Sequence, residues 1–152
     1  MNLGKIESIP VVKAIGVRVL KVHQLVYERS GGRIGHRLAG TRSLLLRTVG
    51  AKTGQPRTNA LTYVKDGADY VVVASMGGAP RSPGWYHNLR ADPDVEIQVG
   101  TRRIQVTART VLPGDPDRER LWQLADENNE GRYRAYQKQT SRPIPVVVLS
   151  PR

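Results

Sequence analysis

The 152-residue chain contains no cysteine and no phenylalanine, and only three histidines, two tryptophans and two methionines. Without cysteine there is no disulfide framework, thiolate metal site or thiol nucleophile, and His23, His36 and His87 lack ligand spacing, so no metal is expected. No apolar run approaches the ~18 residues of a membrane span, and the N-terminus lacks the apolar core and cleavage site of a secretion signal, so a cytoplasmic location is expected. Acidic side chains are also scarce: 13 Asp and Glu stand against 24 Lys and Arg, for a net charge of +11. The excess is uneven, with eight Lys/Arg against two Glu in residues 1–42 and six against five acids in 43–100. An anionic partner follows: nucleic acid, an acidic membrane surface or a phosphate-bearing small ligand.

What is present is an ordinary globular composition, 39% hydrophobic and 24% charged, at a length that buries roughly 68–70% of the unfolded surface in one domain. After Pro10, Val11, Ile15, Val19, Val22 and Val26 recur at helical spacing with Lys13, Lys21, Gln24 and Glu28 opposite. This predicts a basic amphipathic helix, either covering the core or lying on anionic lipid through residues 10–29. The glycine- and arginine-rich stretch after it reads as a linker, so residues 1–42 are taken as helix and linker and 43–152 as the main domain. From Ser43 the pattern turns to strands: SLLLRTV, a hairpin of TNALTYV and DYVVVAS about KDGA, a second of VEIQV and RIQVTART about Gly100–Thr101, and a final IPVVVLS. SPGWYHNLRADP predicts a short helix capped by Ser82, GDPDRERLWQLADEN a second with Asp115 or Asp117 at its positive end, and RYRAYQK a third. Hairpin-linked strands with short inserted helices predict a mainly β, antiparallel barrel of six to seven strands.

The stretch GAKTGQPR, residues 50–57, advertises a phosphate loop. Yet Ala51 separates Gly50 from Lys52, no glycine lies five positions before Gly50, and both flanks read as strands, which excludes the Walker pattern. What remains is a strand-to-strand loop from which Lys52 and Arg57 reach an anion, or a charged solvated turn. In ASMGGAPRSPGWYHNL, Ser75 ends a strand, Gly77–Gly78 let backbone amides approach a ligand, and a helix start follows. Trp85 and Tyr86 add aromatic surface and Asn88 an amide; Trp85 alone is more often core, and His87 alone more often surface. Tyr133 and Tyr136, three apart on one helix face, form either a wall for a flat ring or simple packing. No GxGxxG, Ser-His-Asp order or paired carboxylates occur, so a bound cofactor is expected to bring any chemistry.

The ordered motifs GxKTGxPR, VVASxGG and PxWYxNL, with YRAYQKQTSRPIPVVVL behind them, make residues 43–150 resemble the actinobacterial deazaflavin-dependent nitroreductase family, which uses coenzyme F420. The resemblance implies a split β-barrel related to the flavin-mononucleotide-binding barrels, with an 8-hydroxy-5-deazaflavin carrying a phosphate and oligoglutamate tail. It implies that cofactor is bound by Ala51, Lys52 and Thr53, by Arg57, Thr58, Asn59, Ala60, Leu61 and Thr62, by Val73, Ala74, Ser75 and Met76, by Gly84, Trp85, Tyr86, His87 and Asn88, and by Tyr133. Ser75, Tyr133 and Tyr136 are implied to contact substrate and serve catalysis. Met76 stands where the family often has lysine, and Ala60 where it often has proline. The implied activity is hydride transfer from reduced F420 to an electrophile such as a quinone or nitro compound. A flavin-mononucleotide oxidoreductase and a non-catalytic deazaflavin carrier are the alternatives, and nucleic acid is disfavoured because no nucleic-acid motif is present.

Overall fold

The computed structural model describes residues 21–29, 37–38 (backbone) and 41–152. Its elements are helix α1 over 21–29, β1 (Arg37–Leu38), β2 (Thr41–Val49), β3 (Pro56–Asp66), β4 (Asp69–Val73), a 3-10 turn (Met76–Gly78), α2 (Gly84–Ala91), β5 (Asp94–Val99), β6 (Arg102–Val111), α3 (Arg118–Asn128), α4 (Arg132–Gln137) and β7 (Val146–Pro151). Six strands close in the order β2-β3-β4-β7-β6-β5 and back to β2, all antiparallel, with β1 added beside β2. This is the expected split β-barrel. Both predicted hairpin turns form, helped by Gly67 and Gly100 at positive φ.

The barrel interior holds Leu44, Leu46, Tyr63, Tyr70, Val72, Trp85, Tyr86, Val95, Ile97, Val106, Val147 and Leu149. A second cluster lies outside the wall, where Val71, Val73, Val146 and Val148 meet Leu121, Ala125 and Tyr133 of α3 and α4. The uninterrupted valine runs of β4 and β7 are thus buried on both faces.

Three expectations are corrected. Strand β2 begins at Thr41, two residues before Ser43, and β1 lies within the expected linker. Ser82 does not cap α2: Pro83 holds that position without a side-chain cap, and the Ser82 hydroxyl instead accepts from Arg142 at 3.4 Å. Helix α1 is also turned around relative to its apolar pattern. Val22, Leu25 and Val26 are exposed, whereas Tyr27 is fully buried and Gln24 and Glu28 are half-buried. The helix is seated through hydrogen bonds, Tyr27 to Ser43 O and Gly100 N and Gln24 to Thr58 O and Ala60 N, on an outer barrel face where Ser43, Arg47 and Gln98 flank the buried Leu45. The remaining stripe residues Val11, Ile15 and Val19 lie outside the described residues.

Asp117 occupies the cap position of α3, as the charge pattern predicts, without a side-chain cap bond. Arg109 grips both Asp115, at 3.3 Å, and Asp117, at 3.1 Å.

Candidate functional site

The loop from Gly50 to Gln55 is a tight turn closed by its own backbone, Gly50 N donating to Gln55 O and Gly54 N to Gly50 O, both at 2.8 Å. Gly54 has φ +68, in the left-handed region that favours glycine, and a side chain at Gly50 would displace the Thr53 hydroxyl. Ala51, Lys52, Thr53 and Arg57 are exposed, and no ion pair joins Lys52 or Arg57 to a described residue. Their charge is therefore available to an anion.

Asn88 ties this loop to α2. Buried to 8% exposure, it accepts from Ala51 N at 2.9 Å and donates to the Thr48 hydroxyl at 3.0 Å. On the same helix Trp85 and Tyr86 point into the barrel core, and Gly84 and His87 are exposed. Trp85 thus packs as core, the commoner fate of such a residue.

Val73, Ala74 and Ser75 are buried where β4 leaves the sheet. Met76, Gly77 and Gly78 then follow at φ 46, 63 and 82, three successive left-handed residues that form a tight bend in which the Gly78 N–H donates to Ser75 O at 2.9 Å and the Ala79 N–H to Met76 O at 3.1 Å. A non-glycine residue in that region carries strain, and Met76 is 59% exposed there, so the bend is held by its surroundings rather than by its own preference. Gly78 is fixed by close approach: a Cβ would lie 2.7 Å from Tyr136 O on α4. The VVASMGG bend is therefore seated directly on the helix that carries the tyrosine pair.

Tyr133 and Tyr136 lie ring to ring at 6.4 Å, with Trp122 on the other side of Tyr133 at 6.5 Å. Tyr133 is 7% exposed. Burial first, and the neighbouring Tyr136 second, push its hydroxyl far above the usual phenol range, so it stays protonated at any physiological pH.

Residues 57–62 run along β3 at the mouth of the barrel. Arg57 is exposed, and Thr58, Asn59, Ala60, Leu61 and Thr62 are all half-buried, because β3 pairs with β2 along this stretch but meets β4 only from Val64 onward. The far edge of Pro56–Tyr63 carries no strand among the described residues.

One organising residue has no signature in the motifs. Arg142 donates to Ala79 O at 2.8 Å, Ser75 O at 2.9 Å, Ala74 O at 3.3 Å and Ser82 Oγ at 3.4 Å, clamping the whole 74–82 segment. Its only sequence signal is a lone arginine before Pro143 in TSRPIP. Burial lowers its pKa without removing its charge.

A cleft of about 620 Å3 opens elsewhere, between α3 and α4, lined by Arg118, Trp122, Arg134, Gln137 and Lys138. None of the expected site residues lines it, and Arg118 is spent on the carbonyls of Val111 and Ile144. No group of acidic or histidine side chains able to hold a metal occurs among the described residues.

The sequence profile of the F420H(2)-dependent quinone reductases matches residues 19–151. The chain belongs to that family. It is 61% identical over 139 residues to the F420H(2)-dependent quinone reductase Rv1261c of Mycobacterium tuberculosis, covering 91% of this chain and 93% of that protein. Among solved structures, an F420-H2 dependent reductase (FDR-A) superposes with a TM-score of 0.63 at 38% identity, over 71% of this chain and 93% of that one. A structure described as a domain-swapped dimer gives a TM-score of 0.66 at 32% identity, over 89% and 99%. The protein is thus an F420H2-dependent oxidoreductase with coenzyme F420 as its cofactor and a quinone as its acceptor. The residues present suit such a ligand: two exposed cations without acidic partners among the described residues, and an edge of β3 that no described strand covers, lie on elements that Asn88 connects.

Proposed function

We propose that the family's reaction runs on the side of the barrel formed by the 50–57 loop, the edge of β3, the 74–78 bend and α4. The single observation that carries this reading is Asn88, whose amide physically joins the cationic loop to the helix that continues the VVASMGG bend. Lys52 and Arg57 would hold the phosphate and acidic tail of the cofactor, and residues 58–62 its ring. When bound, the deazaflavin supplies a hydride from C5, with carbon replacing the flavin N5 and so disfavouring one-electron chemistry.

The protein's part is positioning and proton management. Arg142 holds the backbone of Ser75, and we assign the Ser75 hydroxyl to contact with the substrate. A quinone that accepts hydride develops negative charge on oxygen, and the Tyr133 hydroxyl, kept protonated by burial, is the donor we assign to that oxygen. Ser75 and Tyr136 complete the substrate wall. The same electrophile-accepting geometry extends to nitro compounds.

We further assign α1 to peripheral contact with an anionic membrane at the cytoplasmic face. Val22, Leu25 and Val26 form an exposed apolar stripe flanked by the exposed Lys21 and Arg29. No described helix is long and apolar enough to cross a membrane. Such contact would bring the site to lipid-soluble quinones.

The deciding experiment mixes the purified protein with reduced F420, with and without menadione, and follows cofactor oxidation. Menadione-dependent oxidation is expected, and binding without turnover would make the protein a carrier. Attachment is read by sedimentation with phosphatidylglycerol vesicles, comparing the full chain with a Val22→Ser/Leu25→Ser/Val26→Ser variant; equal recovery in the supernatant removes the membrane role.

A further inference from the structure

Between Pro56 and Tyr63, β3 has β2 on one edge and, among the described residues, no strand on the other. The carbonyl of Thr58 and the N–H of Ala60 are two residues apart and so point the same way, out of that edge. They are not left bare. The Gln24 carboxamide on α1 meets both, Nε2 donating to Thr58 O at 2.7 Å and Oε1 accepting from Ala60 N at 3.3 Å. One planar amide, steadied by Glu28 one turn later at 3.2 Å, thus imitates a paired strand.

A donor and an acceptor side by side on a rigid plane are also what a lactam or cyclic imide presents, including the pyrimidinedione edge of a deazaflavin. The helix that delivers Gln24 is seated in an unusual way. Its anchor is Tyr27, which hydrogen-bonds Ser43 O at 3.1 Å and Gly100 N at 2.9 Å, while its apolar stripe of Val22, Leu25 and Val26 is turned outward. Apart from the buried Tyr27 ring, the seat consists of hydrogen bonds, and each such bond contributes little net stability because water replaces it on release. The stripe offers nothing that holds the helix down in water.

We propose that Gln24 is an internal competitor for the β3 edge. Its carboxamide must leave Thr58 and Ala60 before a ligand bearing neighbouring N–H and C=O groups pairs with them, so Gln24 sets the affinity of the site. The inference rests on the placement of the cofactor ring along residues 58–62 given above, and it adds the step that uncovers them.

The test uses the full chain and two variants, Gln24→Met, which keeps the volume, and Gln24→Ala, with circular dichroism confirming that both fold. Oxidised F420, which does not turn over, is titrated by fluorescence, and exchange of the Ala60 amide is followed by NMR. In both variants F420 is expected to bind roughly 2- to 10-fold tighter, the equivalent of one or two neutral hydrogen bonds no longer competing. The Ala60 amide is expected to exchange faster than in the parent when free and to regain protection when F420 is added. Parent-like or weaker binding, with the parent still binding F420, overturns the competitor role and leaves the cofactor reading standing; Gln24 is then an edge guard or a ligand contact. Unchanged Ala60 exchange in the free variants overturns it too. Absence of binding by parent and variants alike overturns the placement of the ring, and the competitor role with it.

Discussion

Strands β3 and β4 are neighbours in one barrel and meet through a two-residue turn, yet they live in opposite surroundings. Val71, Val72 and Val73 of β4 are at most 8% exposed, with the barrel interior on one face and α3 and α4 on the other. Residues 57–62 of β3 never reach full burial, and a side chain of α1 closes their free edge. The difference is topological, because β4 pairs with β7 along Tyr70–Val73 but with β3 only through Asp69–Val71, so residues 57–62 of β3 lie beyond the reach of β4. A barrel that splits there has one half buried on both faces and another left half-exposed, the half to which the binding site is assigned above.

Substitutions in the two halves should separate accordingly. The largest effect is expected at Leu149, which is fully buried inside the barrel: Leu149→Ala should lower unfolding stability by about 2–5 kcal/mol. Leu61→Ala on the half-open β3 should cost about 1 kcal/mol or less. Equal losses in urea titrations would erase the contrast between the strands.

Next is the clamp at the boundary. Arg142→Ala removes a donor from the carbonyls of Ala74, Ser75 and Ala79 and from the Ser82 hydroxyl, Ser75 O keeping the Gly78 N–H, and should lower stability by about 1–3 kcal/mol, with faster exchange across 74–82. Arg142→Lys should recover only part of it, since an ammonium cannot reproduce the planar fork. Full recovery would mean that charge, not geometry, holds the loop.

On the open side, Arg57→Ala should leave the thermal midpoint unchanged and weaken F420 binding by roughly 1.5–3 kcal/mol, about ten- to hundredfold. An unchanged dissociation constant removes Arg57 from the anion grip. Tyr133→Phe should slow turnover about tenfold with cofactor affinity retained, less than the full effect of a general acid because Ser75 and water remain. Full activity would leave the hydroxyl without a role.

The smallest effect is on pH dependence. Tyr27 and Tyr133 both have raised pKa values, for each of which burial is the leading cause. Above about pH 10 the unfolded chain ionises its tyrosines and the folded chain keeps these two neutral. Their contribution is therefore complete below pH 10 and is lost as pH rises beyond it. Tyr133→Phe should make the stability curve less steep there, and an unaltered slope would show that other groups control alkaline unfolding.

Much of this was legible locally. KDGA and Gly100–Thr101 specified their hairpins because positive φ is a local demand, and the valine runs of β4 and β7 announced strands, whose burial on both faces only the structure shows. The motifs at 50–57 and 71–89 pointed to one ligand site, and the structure links them through Asn88. The face of α1 was not legible, since periodicity reports where apolar residues lie, not what awaits them, and the helix turned out to be seated through hydrogen bonds. Arg142 was equally silent, because its partners are backbone atoms more than sixty residues away in sequence.

By itself the sequence determined the strand content, the turns, the cationic loop and the family, all of which depend on residue type at short spacing. The tertiary structure decided three further matters: that among the described residues no strand pairs with the far edge of β3 at 56–63, that Gln24 occupies it, and that Val22, Leu25 and Val26 face outward. These depend on which backbone groups remain unpaired once the barrel closes, and that is settled only when distant strands compete for the same hydrogen bonds.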